Sequence, residues 1–382
     1  MRTAFSLLNE VMKMSAQPAL ELNPEITNAF PPPSPAKPAK KKLVRRIGTD
    51  YSQQLRRTFQ AFFVLLNVWT GVEFYQFVRH YETAGQSPWV ARPDGVEGWL
   101  PIAAMMNLKS FILMRQVPEI HPAGMFLLIA FLAVSIIFRK AFCGWLCPVG
   151  TISEYIWKAG RKFLGTNFRI WKWFDIPLRG LKYLLLGFFL YAVLTMSVTD
   201  ISAFLSSPYG VIADVKMMNF FRFLGGTGLA VITILVALSF LYQNFWCRYL
   251  CPYGALMGFA SLLSPLRITR NEQTCIDCAK CAKACPSSLP VDKLIQIRSA
   301  ECIGCMECVA VCPAEGALQM ATVAKKPVPV WAMAAGVAII FFGIVGYAKL
   351  SGHWTTEVPR DVYMRLVPNA DQATHPMPGR PQ

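Results

Sequence analysis

Two tandem cysteine runs near the C-terminal end constrain this chain more than any other feature. Each follows the pattern C-x2-C-x2-C-x3-C-P, and together they comprise Cys275, Cys278, Cys281, Cys285, Cys302, Cys305, Cys308 and Cys312. Three thiolates two residues apart can wrap one face of an iron–sulfur cubane, while the displaced fourth cysteine reaches the neighbouring cubane. The runs therefore predict two [4Fe–4S] clusters, with the ligand sets Cys275, Cys278, Cys281, Cys312 and Cys302, Cys305, Cys308, Cys285.

Zinc is the main alternative for these cysteines, because C-x2-C pairs are common in structural zinc sites. Two complete tandem runs, each ending in a fourth cysteine and a proline, are typical of iron–sulfur proteins instead. All twelve cysteines of the chain fall into spaced groups. This grouping favours metal ligation over a disulfide framework, and thiolate-held clusters suit a reducing compartment.

Hydropathy predicts that much of the chain lies in a membrane. Mean hydropathy is +0.37 and only 16% of the residues are charged, against roughly 25% in a typical soluble protein. Five apolar stretches approach the roughly 20 residues that cross a bilayer: about 58–78, 122–138, 183–199, 227–245 and 328–348. We therefore predict an α-helical integral membrane protein of about five transmembrane helices, with an inserted α+β module of the two-cluster bacterial-ferredoxin type.

Two shorter apolar stretches, around 97–113 and 200–218, are broken by Pro101 and Pro208, so we expect re-entrant or interfacial pieces there. The predicted domains, in chain order, are a disordered basic arm (1–50), a membrane domain with two repeated cysteine units (51–265), a cytoplasmic two-cluster module (266–325), a last transmembrane helix (326–348) and a periplasmic tail (349–382).

The distribution of lysine and arginine predicts the orientation. With the N-terminus inside, the inner segments 1–57, 139–182 and 246–327 carry 28 of the 38 basic residues, and the outer segments carry 10. Inner loops of membrane proteins are enriched in these residues. The net charge of +16 is therefore read as a topology signal, and no nucleic-acid partner is expected.

A second cysteine pattern is duplicated in the membrane part. Residues 142–150, FCGWLCPVG, match residues 246–254, WCRYLCPYG, at an offset of 104. Each copy follows an apolar span, so we expect two equivalent C-x3-C-P pairs on one membrane face around an axis along the membrane normal. In a helix, the two cysteines of a pair share one face, and the following proline ends or kinks that helix.

Three interpretations stay open for Cys143, Cys147, Cys247 and Cys251. The four thiolates can hold a third metal or iron–sulfur centre, which divides the twelve cysteines into three sites of four. Alternatively, the two pairs are dithiols that cycle through disulfides. The third interpretation is packing, since buried free cysteines are common, although duplication of the whole motif argues against it.

Ionisable residues in or near the spans are candidates for a quinol site, because quinol oxidation needs a proton acceptor. Glu73 lies late in the first span, with Arg79 and His80 just beyond it, and His121 opens the second span. The alternative is that Glu73 and Arg79 only mark the interface. No C-x-x-C-H haem motif or Walker loop is found, and the sequence indicates neither a catalytic residue nor an oligomeric state.

At these motifs the chain resembles the NapH/NosR-type membrane polyferredoxins over roughly residues 55–320. Membrane spans with paired C-x3-C-P motifs, followed by a two-cluster ferredoxin segment, are the shared pattern. The resemblance implies quinol-linked electron transfer toward a periplasmic reductase, or support of its maturation, in a bacterial cytoplasmic membrane. It extends functional roles to all twelve cysteines.

We therefore expect a membrane-bound electron-transfer protein that connects the quinone pool, or a cytoplasmic donor, with a respiratory or periplasmic redox partner. The expected cofactors are the two [4Fe–4S] clusters, with a third centre and a quinone left open. The alternative function is that of a maturation factor or an iron–sulfur redox regulator for a metalloenzyme. The clusters alone do not separate these functions, because all of them use the same cysteines.

Overall fold

The computed structural model describes residues 44–376 except 47, 49 and 169. The expected N-terminal arm, residues 1–50, lies mostly outside these described residues. The helices up to residue 241 are, in chain order, α1 Ser52–Glu82, α2 Pro101–Met114, α3 Pro122–Ile137, α4 Pro148–Leu164, α5 Lys172–Thr195, α6 Val198–Ser206, the short helix α7 Pro208–Val211, α8 Ala213–Arg222 and α9 Gly226–Leu241.

The remaining elements belong to the second half of the chain. Helix α10 Pro252–Leu262 leads into strand β1 Leu266–Arg270, which pairs with β2 Leu318–Thr322. Between the strands lie two short helices, α11 Lys280–Ala284 and α12 Glu307–Ala310. Helix α13 Val330–Leu350 and the short helix α14 Arg360–Leu366 complete the described part.

The predicted membrane character is confirmed, but the count of five spans is not. Helices α1, the Trp173–Thr195 part of α5, and α13 are long and apolar enough to cross a membrane. Helices α8 and α9 make a fourth candidate only as a pair bent by 81°. Helix α3, the predicted second span, has 16 residues, about 24 Å at 1.5 Å per residue, which is shorter than the roughly 30 Å hydrocarbon core.

The two halves of the internal repeat pack across each other. In each copy an apolar helix leads to the C-x3-C-P motif, and a proline opens the next helix: α3 then α4, and α9 then α10. The first helix of each copy packs against the second helix of the other. The Ser135 hydroxyl donates to the Met257 sulfur over 3.3 Å between α3 and α10. Gly160 of α4 lies against the Phe240 carbonyl of α9, where a side chain would clash.

The cysteine-rich segment is built on the two-stranded antiparallel sheet of β1 and β2. Its register places Ile268 opposite Met320 and Arg270 opposite Leu318. Ile268 and Met320 are buried, and they belong to the same hydrophobic core as Phe131 and Trp145 of the membrane part. Because one core runs through both parts, this segment (266–325, hereafter the module) is packed onto the membrane helices and is not a tethered appendage.

Candidate metal centres and an adjoining cavity

The cysteine loops of the module adopt the same backbone in both copies. In the first loop Asp277 and Ala279 have φ near 55°, and in the second loop Gly304 and Met306 have φ of 60° and 57°. Each pair flanks the second cysteine of its run. Alternation of right- and left-handed residues turns successive N–H groups toward one concave side, which binds anions. The repeated geometry suits loops that surround a negatively charged cluster.

Four thiols come together at the second predicted ligand set. Cys285, Cys302, Cys305 and Cys308 line one small cavity, closed by Ile268 and other apolar side chains. Burial raises the pKa of the Cys308 thiol well above its ordinary value, and the thiols of Cys305, Cys302 and Cys285 beside it raise the pKa further. Buried thiols that crowd one another are unfavourable as free thiolates, whereas a bound iron centre compensates their charge.

The first predicted ligand set is also a group of neighbours, although it is more exposed. Burial raises the pKa of the Cys312 thiol, and the thiols of Cys278 and Cys275 add to this effect. The pKa of Cys281 is likewise raised by burial and, among its neighbours, by Cys312 and Cys275. Cys312 of the second run therefore lies near the three leading cysteines of the first run, and the exchange of fourth ligands stays a prediction.

The C-x3-C-P pairs depart from the predicted helix geometry. Phe142–Leu146 and Trp246–Leu250 each form one turn of π-helix. Cys147 and Cys251 are extended, with ψ of 119° and 104°, and each caps the helix that its proline begins. The two cysteines of a pair therefore do not share a single helix, so the one-face arrangement expected of a helical pair does not apply. The physical reason is that a residue before proline is kept out of the α region, while proline itself fits the first turn of a helix.

The two pairs nevertheless meet, and we call Cys143, Cys147, Cys247 and Cys251 the membrane quartet. Burial raises the pKa of Cys143 to about 12, and Cys147 and Cys251 are among the groups that raise it. The pKa of Cys247 is raised by burial and then by Cys251, Cys147 and Cys143. The quartet is thus a third set of four mutually adjacent thiols.

The surroundings of the membrane quartet favour negative charge. The backbone N–H groups of Gly150 and Gly254 donate to the sulfurs of Cys147 and Cys251 over 3.5 and 3.2 Å. Two helices, α4 and α10, therefore direct their N-termini at the quartet, where the helix dipole stabilises thiolates. Lys140 lowers the pKa of Cys143 against the effect of burial. In its chemistry this donor set suits an iron–sulfur cluster, which is larger than a single metal ion, held by all four thiols.

The membrane quartet and the second cluster loop touch through backbone. A Cβ on Gly144 would lie 2.6 Å from the carbonyl oxygen of Ile303, which stands between Cys302 and Cys305. The Trp145 indole donates to the Gly304 carbonyl over 3.1 Å. In the other copy, Arg248 donates to the Ser287 carbonyl over 2.7 Å, next to Cys285 and Pro286. Both π-turns of the repeat therefore contact the loops that carry the second ligand set.

We expect the change Gly144→Ala to loosen this junction. Gly144 has no left-handed φ, so alanine meets only the steric clash with Ile303. Overpacking of this kind costs about 1–3 kcal/mol. The thermal midpoint should fall, and a chelator should remove iron faster from the module. Gly71→Ala is the matched control, because nothing lies within 4 Å of its added Cβ. Equal midpoints for the two variants would contradict the proposed contact.

Sequence reasoning missed Arg56, which anchors the same junction. Its guanidinium is fully buried and lies 2.7 Å from both carboxylate oxygens of Glu154, and 3.1 Å from Glu307. It also donates to the Gly144 carbonyl over 3.3 Å. Arg56 stands just before the predicted first span, beside Arg57, and in the sequence it is one of the basic residues of the inner segment 1–57. Only the burial of Arg56 distinguishes it from these other basic residues.

A cavity of about 1290 Å³ adjoins the membrane quartet. At the module end its wall includes Lys140, Tyr253, Glu301 and all four quartet cysteines. Apolar side chains such as Leu127, Phe131 and Phe341 line it further along, and Glu73, Arg92 and Asp94 lie at the other end, which we call the distal end. Of the ionisable residues considered from sequence, Glu73 therefore faces the cavity.

The distal end is closed by a buried ion network around Arg92. The Arg92 guanidinium lies 3.0 Å from Asp94, 2.9 Å from Glu97 and 2.7 Å from Asp214. Burial alone would raise the pKa of Glu97, but Arg92 and then His121 hold it at about 2. Glu97 is therefore a carboxylate at neutral pH, and the network is a structural tie between helices.

His121 belongs to this network and does not line the cavity. Its Nδ1 lies 3.2 Å from Glu97 and its Nε2 lies 2.9 Å from the Gly210 carbonyl. His80 is engaged as well, with Nδ1 2.7 Å from the Ser87 carbonyl. Within the described part of the chain, no three His, Cys, Asp or Glu side chains converge closely enough to hold a single metal ion.

Two family models match the segments that carry the cysteines. One, described as a 4Fe-4S binding domain, matches residues 120–167 and again 224–271, which are the two copies of the repeat. The other, described as a 4Fe-4S dicluster domain, matches residues 267–313 in the module. The iron–sulfur character predicted from the cysteines is confirmed by these matches.

The chain also resembles curated proteins along most of its length. It is 49% identical over 326 residues to YccM of Escherichia coli (strain K12), whose name assigns it to electron transport; the match covers 84% of this chain and 91% of the relative. The ferredoxin-type protein NapH of Haemophilus influenzae is 24% identical over 50% of this chain and 62% of its own.

A third relative is the methylamine utilization ferredoxin-type protein MauN of Paracoccus denitrificans. It is 26% identical over 52% of this chain and 60% of its own length. The shorter matches to MauN and NapH cover about half of the chain, whereas the match to YccM extends over most of it. No solved structure matches the chain.

Proposed function

Since this chain belongs to the NapH/NosR-type membrane polyferredoxins, we propose that it passes electrons between the quinone pool, or a cytoplasmic donor, and a respiratory or periplasmic redox partner. Iron–sulfur electron transfer is the part of this function that the named relatives and the family models support. When bound, the clusters supply one-electron carriers, and the chain's own residues hold them at adjoining sites.

The observation that carries the proposal is the contact between three groups of four thiols. We assign one [4Fe–4S] cluster to Cys275, Cys278, Cys281 and Cys312, a second to Cys302, Cys305, Cys308 and Cys285, and a third centre to the membrane quartet. Cys281 lies close enough to Cys308 to raise its pKa, which joins the first two groups. Gly144 against Ile303 joins the second group to the quartet. Contact of this kind keeps the electron carriers close together.

The proposal extends to the domains and their placement. We assign residues 266–325 to a cytoplasmic α+β ferredoxin-like module inserted between membrane helices, with 326–348 as the last span and 349–382 on the periplasmic side of an inner membrane. The excess of lysine and arginine in the inner segments supports this orientation. The cavity supports a quinone partner, since its apolar wall lies within the membrane part and ends at the quartet.

The test of the conduit removes one ligand from each module cluster in the double variant Cys278→Ser plus Cys305→Ser. The purified chain is reconstituted in liposomes with ubiquinol in the membrane and ferricyanide outside, and reduction of ferricyanide is followed. We expect the rate to fall to that of protein-free liposomes. The control is Ile276→Val plus Ile303→Val, which changes the same loops but keeps every thiol.

An unchanged rate in the cysteine variant, with both module clusters lost by iron analysis, would show that the conduit is wrong. The alternatives are then measured in cells that carry the same variant. Loss of metal from a partner enzyme would favour a maturation role, and changed transcript levels with an intact enzyme would favour a regulator.

A further inference from the structure

One hydroxyl at the module end of the cavity lacks a partner. Tyr253 lines the cavity, and among the described residues its hydroxyl forms no hydrogen bond. Its ring is held edge-on by Phe142 and Phe131, with centroids 5.7 and 6.3 Å away. A tyrosine hydroxyl is protonated at neutral pH, so it can donate a hydrogen bond beside the quartet.

The internal repeat shows that the motif does not need this hydroxyl for its fold. The residue equivalent to Tyr253, at the offset of 104, is Val149. Both positions follow the proline of a C-x3-C-P motif, and both copies build the same π-turn, extended cysteine and proline-initiated helix. Tyrosine at only one of the two positions places a hydroxyl donor on one side of the repeat, at the module end of the cavity.

The side chains that line the cavity limit the kind of ligand that it can bind. Its apolar wall, with Leu127 and Phe341 among its members, suits a long hydrocarbon chain. Its volume of about 1290 Å³ exceeds the roughly 300–1,000 Å³ of ordinary small-molecule sites. At the module end, Tyr253 and Lys140 offer donors, which match the carbonyl oxygens of a flat, uncharged head group. A quinone with an isoprenoid chain combines these properties.

We propose that Tyr253 donates a hydrogen bond to a carbonyl oxygen of a quinone, and thereby positions the quinone head group against the membrane quartet. This inference rests on the proposed function, because it gives the quinone partner a place and an orientation. The quinone head group lies at the module end, and its isoprenoid chain extends along the apolar wall toward Glu73 and Arg92 at the distal end. Val149, the counterpart of Tyr253, lines the same cavity but has no hydroxyl to donate.

The test measures binding of the quinone analogue 2-heptyl-4-hydroxyquinoline N-oxide to the purified full chain by quenching of the analogue's fluorescence. Tyr253→Phe keeps the ring contacts and removes only the hydroxyl. We expect binding to weaken about 3- to 10-fold, which is the loss of one neutral hydrogen bond. Iron content should stay equal to that of the unaltered chain. Decylubiquinone is then used as a competitor to show that both compounds occupy one site.

Tyr249→Phe is the matched control. Tyr249 lies four residues earlier, and its hydroxyl donates to Asp175 over 2.5 Å, outside the cavity wall. Undiminished binding in Tyr253→Phe, or an equal loss in both variants, overturns the inference. Absence of analogue binding to the unaltered chain also overturns it, but leaves the electron-transfer proposal standing, since the liposome assay tests that separately. Loss of ferricyanide reduction in Cys278→Ser plus Cys305→Ser, with Tyr253→Phe binding normally, would place the quinone elsewhere.

Discussion

Replacement of Cys143, Cys147, Cys247 and Cys251 by serine is expected to lower the iron content from about twelve to about eight atoms per chain, because each [4Fe–4S] cluster needs four cysteine thiolates. Sulfide should fall in the same proportion. The measurement is anaerobic iron and sulfide quantification with EPR on the purified protein. The two module clusters should keep their signals, since their ligands are unchanged.

The physical reason lies in the adjacency of the two pairs. The quartet cysteines are half-buried, and burial raises the pKa values of Cys143 and Cys247 far above the ordinary value. Four such thiols make thiolates only when a cation compensates them, with help from the N-termini of α4 and α10 and from Lys140. A shared iron–sulfur centre supplies this compensating charge to all four thiolates of the quartet.

A half variant separates a shared centre from two independent dithiols. In Cys143→Ser plus Cys147→Ser the second pair is intact, yet a shared centre loses half of its ligands. We therefore expect the half variant to lose as much iron as the full variant. If the unaltered chain holds only the iron of two clusters, and mass spectrometry finds a disulfide within each pair, the third centre is wrong and redox dithiols take its place.

Arg56→Met is expected to destabilise the protein by about 3–5 kcal/mol, the cost of breaking a buried ion pair by removing one partner. Glu154 and Glu307 would then share only Lys158, whose ammonium lies 2.5 Å from each. The thermal midpoint should fall steeply when followed by tryptophan fluorescence. The module should lose its second cluster first, because Arg56 ties helix α1 to the loop that carries Cys305 and Cys308.

Arg57→Met is the matched control for this prediction. Arg57 is the next residue on α1, exposed and without an ion pair in the described structure, so its replacement should leave the midpoint almost unchanged. Arg56→Lys should recover only part of the stability, since an ammonium cannot make the two parallel bonds to Glu154. Similar midpoints for Arg56→Met and Arg57→Met would mean that the buried pair contributes little.

The sequence alone determined the chemistry of this protein, because that chemistry depends on local spacing. The tandem runs around Cys275 and Cys302 predicted an iron–sulfur protein, and the repeat of Cys143–Cys147 at Cys247–Cys251 predicted the membrane polyferredoxin family. The matching family models and relatives confirm both. Apolar composition likewise predicted a membrane protein, since a span needs little more than length and hydropathy.

Only the tertiary structure decided how these parts adjoin. Which helix of one repeat packs on the other, and how Gly144 meets Ile303, depend on residues that lie far apart in the sequence. The burial of Arg56 also depends on the tertiary structure, because a charged residue beside an apolar span is expected at the surface unless other elements cover it. Tyr253 and Val149 occupy equivalent positions of the repeat but carry different side chains. Only the cavity beside Tyr253 shows that this difference can affect ligand binding.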